Sequence, residues 1–413
     1  MLIQPLFGII VFLGIAWIIS EQRNKVKYMT ILTGISIQFA IAGILLYIPV
    51  FKKFFLLLND IVLSLEAATK AGTSFVFGYI GGGTPPFFLQ DPGSNFILAF
   101  QALPLVIVIG ALSALLFYWK ILPIIVKGFS FLLQKTMNIG GALGLGSSAT
   151  IFLGMVEAPL VIKPYLKGMT RSELFSLMTV GMACIAGTVM ILYATILNKI
   201  IPDPLGHILV ASFIHVAAAI TISRIMVPET DEETAGTVLP QPAATSSMDA
   251  IVKGTLDGLQ LLLNIIAMLV VMVAFVHLAN TIIGLLPNVA GRPLTLQRIL
   301  GFGMAPIVWL FGIPWQQAQT AGILMGTKTI LNELLAFLEM ANLPPDALDD
   351  RSRLIMTYAL SSFANFGSLG ILIGGLGSLA PDRRDEVVNL GIKAVIAGTL
   401  ATCMTGAVIG IFT

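Results

Sequence analysis

Eight apolar stretches, each about twenty residues long, constrain the fold of this chain more than any other feature. A helix needs about 20 apolar residues to cross the hydrocarbon layer of a bilayer. Charged residues make up 11% of the chain, against about a quarter in a typical soluble domain, so there are too few to cover a water-exposed surface. We therefore predict an all-α integral membrane protein with about eight transmembrane helices. The predicted spans are residues 2–20, 30–50, 94–118, 174–197, 206–227, 258–286, 354–379 and 387–412.

The composition also excludes several classes of protein. The formal net charge of +2 argues against a surface that binds nucleic acid through bulk charge. The two cysteines, Cys184 and Cys403, lie in apolar runs, which excludes a disulfide framework and a cysteine-rich metal site. No Walker sequence is present, so we expect any transport to be driven by an ion gradient and not by ATP.

Two further apolar segments, residues 121–166 and 294–340, each contain two short arms around a central break. Arms of this length enter and leave the membrane from one side, so we predict two re-entrant helical hairpins. Each hairpin carries a glutamate, Glu157 or Glu333, and is followed by two spans, the first of which is interrupted by small or polar residues. This repetition is typical of a secondary transporter built as an inverted repeat, with its site near the membrane midplane.

The segment 51–92 is too interrupted by charges to cross the membrane. Phenylalanine and leucine alternate there with charged residues such as Lys52, Asp60 and Glu66, which predicts an amphipathic helix lying in the membrane interface. A polar stretch beginning at residue 228 predicts a flexible linker between the repeats. The predicted domains are 1–120, scaffold helices with the interfacial helix; 121–227, the first transport repeat; 228–257, the linker; 258–293, a long scaffold helix; and 294–413, the second transport repeat.

Carboxylates within apolar segments are the first candidates for function. A carboxylate at the bilayer centre costs about 2.5–3.5 kcal/mol on insertion scales, and Glu157 and Glu333 incur that cost at equivalent places in the two repeats. We interpret them as acceptors for substrate hydroxyls or a cation. The alternative is that each carboxylate only fixes its hairpin, by pairing with a helix end or with Lys328. Asn365 and Ser368 are three residues apart, which places them on one face of any helix, where they bind a ligand or a neighbouring helix.

Other polar and aromatic residues carry weaker signals. Asn332 adds a further neutral donor and acceptor beside the second glutamate. Phe363 is placed to stack on a flat ligand, but a single phenylalanine in a bilayer also packs in the core or faces lipid. For the histidines we favour packing or interface roles, because no pair has metal-binding spacing. They are His207, His215 and His277.

Three motifs together resemble the concentrative nucleoside transporter family. Residues 154–160 read Gly-Met-Val-Glu-Ala-Pro-Leu where the family typically reads Gly-Gln-Thr-Glu-Ala-Pro-Leu. Residues 326–333 contain Gly-Thr-Lys and Asn-Glu, and residues 363–368 read Phe-Ala-Asn-Phe-Gly-Ser, where Ser362 and Gly367 replace the glycine and serine usual in the family. The resemblance covers nearly the whole chain in order and spacing.

The resemblance implies a multi-pass symporter of a bacterial inner membrane and not an enzyme. It implies a homotrimer in contact with membrane lipids, each protomer moving a nucleoside inward by an elevator-like motion coupled to Na+ or H+, with no cofactor and no nucleic-acid partner. It also implies site residues. The residues expected near the nucleobase are Met155, Val156, Glu157 and Val189. The residues expected to hold the ribose hydroxyls are Glu333, Asn365 and Ser368, with Asn332 and Phe363 nearby. The implied sodium site consists of the side chains of Thr150 and Cys184 and the backbone carbonyls of Leu153 and Ile185.

Two departures from the family pattern affect the expected ligands. Met155 and Val156 replace the glutamine and threonine that meet the base, so we expect relaxed base selectivity or a ligand with a more apolar edge. Thr150 and Cys184 replace an asparagine and a hydroxyl residue, and a thiol is a poor sodium ligand. Both sodium and proton coupling are compatible with this pattern, and the loss of oxygens favours protons.

Two alternatives to nucleoside transport follow from the same residues. The fold could carry a nucleobase, a modified nucleoside or another hydroxylated solute, because the base-facing pair is missing. An intramembrane enzyme with two carboxylates is less favoured, since the two glutamates lie on separate hairpins without a paired aspartate motif. A channel is a further, less favoured alternative, since re-entrant loops also form selectivity filters.

Overall fold

The computed structural model describes residues 3–87, 96–155, 158–236, 244–288, 291 and 293–413, which contain helices and connecting segments but no β-strand. This confirms the all-α prediction. In chain order the α-helices are α1 Ile3–Ile18, α2 Tyr28–Tyr47, α3 Pro49–Phe77, α4 Leu98–Gln101, α5 Leu105–Tyr118, α6 Ile121–Met137, α7 Gly141–Leu153, α8 Ala158–Val161, α9 Lys163–Leu166, α10 Arg171–Ala183, α11 Gly187–Leu197, α12 Pro204–Met226, α13 Ser247–Ile283, α14 Leu296–Trp309, α15 Trp315–Ile330, α16 Glu333–Ala341, α17 Asp350–Leu360, α18 Phe366–Leu379 and α19 Arg384–Phe412.

Five helical segments in the described residues are long and apolar enough to cross a membrane: α2, residues 98–118, α12, α13 and residues 381–412. They make the chain a multi-pass membrane protein. The other predicted spans differ in form. α1 has 16 residues, and the spans predicted at 174–197 and 354–379 are each divided into two helices, α10 with α11 and α17 with α18. The number of eight crossings stays a prediction.

The break between α10 and α11 lies where two backbones meet. α10 ends at Ala183 and α11 begins at Gly187. A Cβ at position 187 would lie 2.6 Å from the Phe152 carbonyl oxygen, so only glycine allows α7 to approach this closely. The break in the second repeat falls between Leu360 and Phe366. The first break therefore falls within the predicted interruption at 183–187. The second, predicted at 365–368, lies instead at residues 361–365, because the Asn365 side chain caps α18 and residues 366–368 are helical.

The two predicted hairpin segments contain more helices than the two arms we expected. In the first, α6 precedes α7, which is followed by the short helices α8 and α9. In the second, α14 precedes α15 and α16. The prediction was incomplete because α6 and α14 are apolar and were counted as the first arm of each hairpin. The helices that flank each glutamate in the sequence therefore cover only the later part of each predicted segment. The re-entrant path of these pairs stays a prediction.

The predicted interfacial segment consists mainly of one 29-residue helix, α3, which is not among the helices apolar enough to cross. The phenylalanine and leucine side chains at 51–58, on which its amphipathic character was predicted, lie outside the described residues. Further along α3, Glu66 accepts a hydrogen bond from Thr195 of α11 at 3.4 Å. The helix therefore contacts the first broken helix.

The linker predicted at 228–257 is shorter than expected. α13 begins at Ser247, and the Ser246 side chain caps it by accepting a hydrogen bond from the Asp249 amide at 3.1 Å. Residues 237–243 lie outside the described residues. Residues 228–236, which we call the acidic strap, are held by side chains of two helices, and the flexibility predicted for the linker stays a prediction.

The acidic strap is fixed at both of its ends. The buried Glu173 of α10 accepts hydrogen bonds from the Thr234 amide at 2.9 Å and from the Thr234 hydroxyl at 2.7 Å. Arg224, near the end of α12, forms ion pairs with Glu229 at 3.0 Å and Glu233 at 2.9 Å. The strap therefore joins α10 to α12 within the first repeat.

Helices α1 and α2 pack against α12 and α19, both of which are buried along most of their length. At the end of α2, Tyr47 donates a hydrogen bond to the Phe412 carbonyl at 2.6 Å. Between α1 and α2, Glu21 accepts hydrogen bonds from Arg171 of α10 at 2.9 Å and from Lys393 of α19 at 2.6 Å. The first two helices are therefore attached to both repeats.

Helix α13 packs instead against α5, through glycines that let the two backbones approach. A Cβ at Gly110 of α5 would lie 2.7 Å from the Gly254 carbonyl oxygen. The remaining surface of α13 is apolar and exposed, with Val270 and Phe275 among its exposed side chains. Helix α13 thus lies at the outside of the bundle, attached mainly through α5, which also packs against α6 and α11.

Candidate functional site

Glu333 is the first residue of α16 and the centre of the candidate site. The preceding Asn332 caps this helix, because its side-chain oxygen accepts a hydrogen bond from the Leu335 amide at 2.9 Å. A carboxylate in the first turn is stabilised by the positive end of the helix dipole. Glu333 is only 4% exposed, so its charge depends on the groups placed around it. Asn332, predicted near the sugar, is thus committed to the backbone of its own helix.

The Glu333 carboxylate accepts a hydrogen bond on each oxygen. The Tyr193 hydroxyl of α11 donates to Oε1 at 2.6 Å, and the Asn365 amide nitrogen donates to Oε2 at 3.0 Å. Asn365 also caps α18, since its side-chain oxygen accepts from the Ser368 amide at 2.7 Å. The structure therefore brings together the three residues predicted for the ribose, Glu333, Asn365 and Ser368, and all three are buried.

Tyr193 was missed by the sequence analysis. The single signal that could have indicated it is its spacing of four residues from Val189, which places both side chains on one face of α11. Both residues are buried. The hydroxyl of Tyr193 connects the broken helix of the first repeat to the hairpin glutamate of the second, so the site is assembled from both halves of the chain.

The first repeat contributes mainly apolar groups among the described residues. Met155 follows the end of α7, is buried, and lies beside Gly181 of α10. Val156 and Glu157 lie outside the described residues. The predicted convergence of two carboxylates, one from each hairpin, therefore stays a prediction.

The two helix breaks contact each other directly. Phe363, which lies within the break before α18, is partly buried, and its amide donates a hydrogen bond to the Cys184 carbonyl at 3.3 Å. Cys184 caps the end of α10. This backbone contact places the two interruptions, predicted separately in each repeat, at one point of the molecule.

The residues implied for a sodium ion lie around this point. Leu153 is the last residue of α7, one position after Phe152, whose carbonyl abuts Gly187 at the start of α11. Ile185 is fully buried in the break itself. The end of α7 and the break after α10 are thus adjacent, and the sodium site itself stays a prediction.

The chemistry of these donors fits sodium poorly. The Thr150 hydroxyl donates to the Gly146 carbonyl at 2.8 Å, and the buried Cys184 thiol donates to the Ser212 carbonyl at 3.7 Å. A thiol sulfur is a soft ligand, whereas hard cations bind several oxygens. Of the four implied ligands, only one hydroxyl and two backbone carbonyls offer oxygen. In the described residues, no group of three His, Cys, Asp or Glu side chains could hold a metal ion.

Two basic side chains, Lys328 of α15 and His215 of α12, are buried. Lys328 of α15 is fully buried, and its Nζ makes no hydrogen bond within the described part of the chain. The alternative that Glu333 only pairs with Lys328 is therefore not supported by a direct ion pair. His215 is likewise buried. His207 Nδ1 lies 2.9 Å from the Tyr358 hydroxyl, which agrees with the packing role we predicted.

Family models cover nearly the whole chain. The model described as "Na+ dependent nucleoside transporter N-terminus" matches residues 7–80, and the model described as "Na+ dependent nucleoside transporter C-terminus" matches residues 207–410. Between them, residues 99–200 match a "nucleoside recognition" model. The matched regions contain α10, α11, α15 to α18 and thus the candidate site.

Individual relatives agree with the family models. An uncharacterized transporter of Haemophilus influenzae is 36% identical, over 99% of this chain and 97% of its own length. The nucleoside permease NupC of Helicobacter pylori is 34% identical, over 100% of this chain and 99% of its own length. The solved structure of CNTnw in an inward-facing substrate-bound state superposes with a TM-score of 0.91 at 33% identity, over 100% of this chain and 98% of that one. The chain therefore belongs to the Na+ dependent, concentrative family of nucleoside transporters, which are permeases and not enzymes.

Proposed function

We propose that this protein imports nucleosides across a bacterial inner membrane, driven by an ion gradient, and recognises them chiefly by the ribose. The observation that carries this proposal is the buried Glu333 carboxylate, held by Tyr193 and Asn365 where both repeats meet. A buried carboxylate at membrane depth is costly and marks a substrate or ion pathway. Here it also lies in a chain whose relatives are nucleoside permeases.

A vicinal diol matches the remaining hydrogen-bonding capacity of the site. Each carboxylate oxygen has about two acceptor positions, and on Glu333 one is used on each oxygen. Two ribose hydroxyls can therefore donate to it, and hydrogen bonds to a charged group contribute about 1.5–3 kcal/mol each. Ser368, one turn into α18, offers a further hydroxyl. The ribose side is thus able to provide most of the selectivity.

The base side offers shape and not hydrogen bonds. Met155 and Val189 are buried apolar side chains that present no polar group of their own to a base edge. A site without such partners discriminates weakly between bases. We therefore expect purine and pyrimidine ribonucleosides to compete with one another. A nucleobase or a modified nucleoside is the alternative substrate class that the same apolar side would admit.

The coupling ion in this proposal is the proton. The description of the family models names sodium. In this chain, however, the side chains at 150 and 184 provide only one oxygen ligand for that ion, the Thr150 hydroxyl, because Cys184 offers sulfur. Both side chains also donate hydrogen bonds to backbone carbonyls. A carboxylate in a closed site is a natural proton carrier, because burial favours its neutral form. Glu157 is the candidate, because Glu333 stays charged in this proposal to accept the ribose hydroxyls.

The contacts favour a division into moving and static parts that differs from the predicted domains. In our proposal α5 and α13 form the static scaffold, and the exposed apolar face of α13 forms the interface of a homotrimer. Helices α1 and α2, which Glu21 attaches to α10 and α19, travel with the two repeats. CNTnw has been solved in inward-facing, intermediate and outward-facing states, which supports an elevator-like exchange.

Competition in proteoliposomes tests the substrate. We expect uptake of labelled uridine to be inhibited by several ribonucleosides and to a smaller extent by 2′-deoxynucleosides, and to exceed equilibrium when a gradient is imposed. Free uracil and free ribose serve as matched half-substrates. Transport of uracil without any transport of ribonucleosides would exclude ribose-centred recognition, and equilibration without accumulation would indicate a channel.

Ion replacement tests the coupling. We expect uptake to persist when sodium is replaced by choline, and to be several-fold faster with an outside pH of about 5.5 than of about 7.5. The double variant T150N/C184S, which restores oxygen donors, is expected to gain stimulation by sodium. Uptake by the unmodified protein that requires sodium and ignores pH would overturn the proton assignment while leaving nucleoside transport in place.

A further inference from the structure

We propose that Tyr193 is a second acceptor beside Glu333 and sets the selectivity of the site for ribose hydroxyls. The proposal rests on nucleoside transport as the function, but it concerns a residue that neither the sequence motifs nor the family resemblance assigned to the site. Its basis is a single buried hydroxyl placed on the carboxylate. Tyr193 is 3% exposed, and its oxygen lies 2.6 Å from Glu333 Oε1.

The hydrogen-bond inventory of this pair is limited on both sides. A tyrosine hydroxyl has one hydrogen to donate, and that hydrogen is directed to Glu333. The phenol oxygen therefore remains available only as an acceptor. Asn365 donates to the other carboxylate oxygen, so the orientation of the carboxylate is fixed from two directions. Removal of the Tyr193 hydroxyl would leave Glu333 held on one oxygen alone.

The ring of Tyr193 is held by the same helix that carries its partner. Its centroid lies 5.2 Å from that of Phe337, at an interplanar angle of 49°. Phe337 follows Glu333 by four residues, so the two lie on one face of α16. Ring packing and the hydroxyl contact therefore act together on α16. This couples α11 of the first repeat to α16 of the second through a fixed ring.

The geometry gives Tyr193 a specific role toward a diol. One ribose hydroxyl can donate to a free position on the Glu333 carboxylate, and an adjacent hydroxyl can donate to the phenol oxygen of Tyr193. An analogue that lacks the second hydroxyl leaves that acceptor without a donor in a buried place, which weakens binding. Tyr193 thus adds a second acceptor next to Glu333, and selectivity for two neighbouring hydroxyls follows.

The test combines deletion of the protein hydroxyl with deletion of single substrate hydroxyls. Tyr193→Phe keeps the ring against Phe337 and removes only the oxygen. Inhibition constants for uridine, 2′-deoxyuridine and 3′-deoxyuridine are measured against labelled uridine in proteoliposomes. We expect Tyr193→Phe to weaken uridine about tenfold, and to weaken one of the two deoxy analogues less than about twofold. Discrimination against that analogue should therefore largely disappear.

Tyr358→Phe is the matched control, because it removes another buried tyrosine hydroxyl, one that contacts His207 and not Glu333. We expect it to leave the ratio between uridine and both deoxy analogues unchanged. Thermal unfolding of each variant without ligand shows whether it is folded. If Tyr193→Phe is too unstable to reconstitute, equilibrium binding of the same three nucleosides to the detergent-solubilised variant gives the same affinity ratios.

An equal loss of affinity for all three ligands would mean that Tyr193 only supports the fold, and would overturn the inference. No loss for any ligand would overturn it as well. Both results leave nucleoside transport intact. Absence of binding of every nucleoside by the unmodified protein would instead reject the proposed function, and the role of Tyr193 with it.

Discussion

In the second repeat, the helices that begin at the site are capped by asparagine side chains, whereas α11 of the first repeat begins after Ala186 without a side-chain cap. Asn332 accepts from the Leu335 amide and Asn365 from the Ser368 amide. Each repeat has one helix break near the site. The helix starts at the site nevertheless differ in chemistry, because those of the second repeat have polar caps and that of α11 has none.

This difference indicates that the two repeats contribute differently to ligand recognition. The second half places a charged group, Glu333, at a helix start where the dipole stabilises it. The first half places Met155 and Val189 among buried apolar side chains. Hydrogen-bonding sites reject ligands that lack a partner far more strongly than apolar sites reject ligands of similar shape. We therefore expect selectivity to reside in the second repeat and tolerance in the first.

The largest predicted effect is that of Glu333→Gln. The amide keeps the size of the side chain, but it lacks the charge and turns a donor toward either Tyr193 or Asn365, both of which donate to the carboxylate. Loss of one to two charged hydrogen bonds costs about 3 kcal/mol, so uridine uptake should fall about 100-fold. The measurement is the initial rate of uptake in proteoliposomes at equal protein density.

Glu339→Gln is the control for this variant. Glu339 lies on the same helix and is also partly buried, but it accepts a hydrogen bond from Thr327 and does not contact Tyr193 or Asn365. Its substitution should change uptake less than about threefold. Equal losses in the two variants would show that any carboxylate on α16 matters for folding, and would remove the distinction between the repeats.

The second prediction addresses the tolerant side. Met155→Gln places an amide where the family typically has glutamine, in a buried position beside α10. Ribonucleosides whose bases can pair with this amide should gain about tenfold over those that cannot, because one good hydrogen bond in a buried site contributes about 1–1.5 kcal/mol. Competition by the common ribonucleosides measures the spread. An unchanged spread would mean that Met155 does not face the base.

The sequence was sufficient to predict much of the polar half of this site. Asn365 and Ser368 share a face and follow a visible break, and Glu333 is an acidic residue in an apolar segment, so residue type and spacing are informative. Both breaks also fall where small or polar residues interrupt an apolar run. These features are local, and local patterns can be read without coordinates.

Features that depend on distant partners were not predictable in this way. Tyr193 resembles any aromatic residue of an apolar helix, and its role arises from Glu333, 140 residues away. The acidic strap has the composition of a linker, but Glu173 and Arg224 bind it. Composition describes a segment, whereas these contacts depend on which other segment lies against it.

A smaller effect is expected for Asn332→Ala, which tests whether Asn332 is a cap or a ligand. Removal of an N-cap side chain costs about 1 kcal/mol of stability, which is the expected loss in thermal or denaturant unfolding. Asn332→Ser, which preserves a capping oxygen, should restore most of it. We expect uptake to follow stability in both variants. If the Asn332→Ser variant is fully stable but inactive in uptake, Asn332 binds the substrate directly.

The smallest predicted effect concerns a contact that both repeats share. Arg171 of α10 donates hydrogen bonds to Glu21 and lowers the pKa of that carboxyl to about 2, with a further contribution from Lys393 of α19. A carboxyl with a depressed pKa stabilises the folded state above its unfolded pKa of about 4.5, and this contribution is lost as the pH falls toward 2. The pair is partly exposed, so Glu21→Gln should cost only about 0.5 kcal/mol at pH 7. The unfolding midpoints of the variant and the unmodified protein should converge between about pH 4.5 and pH 2, and a gap that persists at pH 3 and below would show that Glu21 acts through packing and not through its charge.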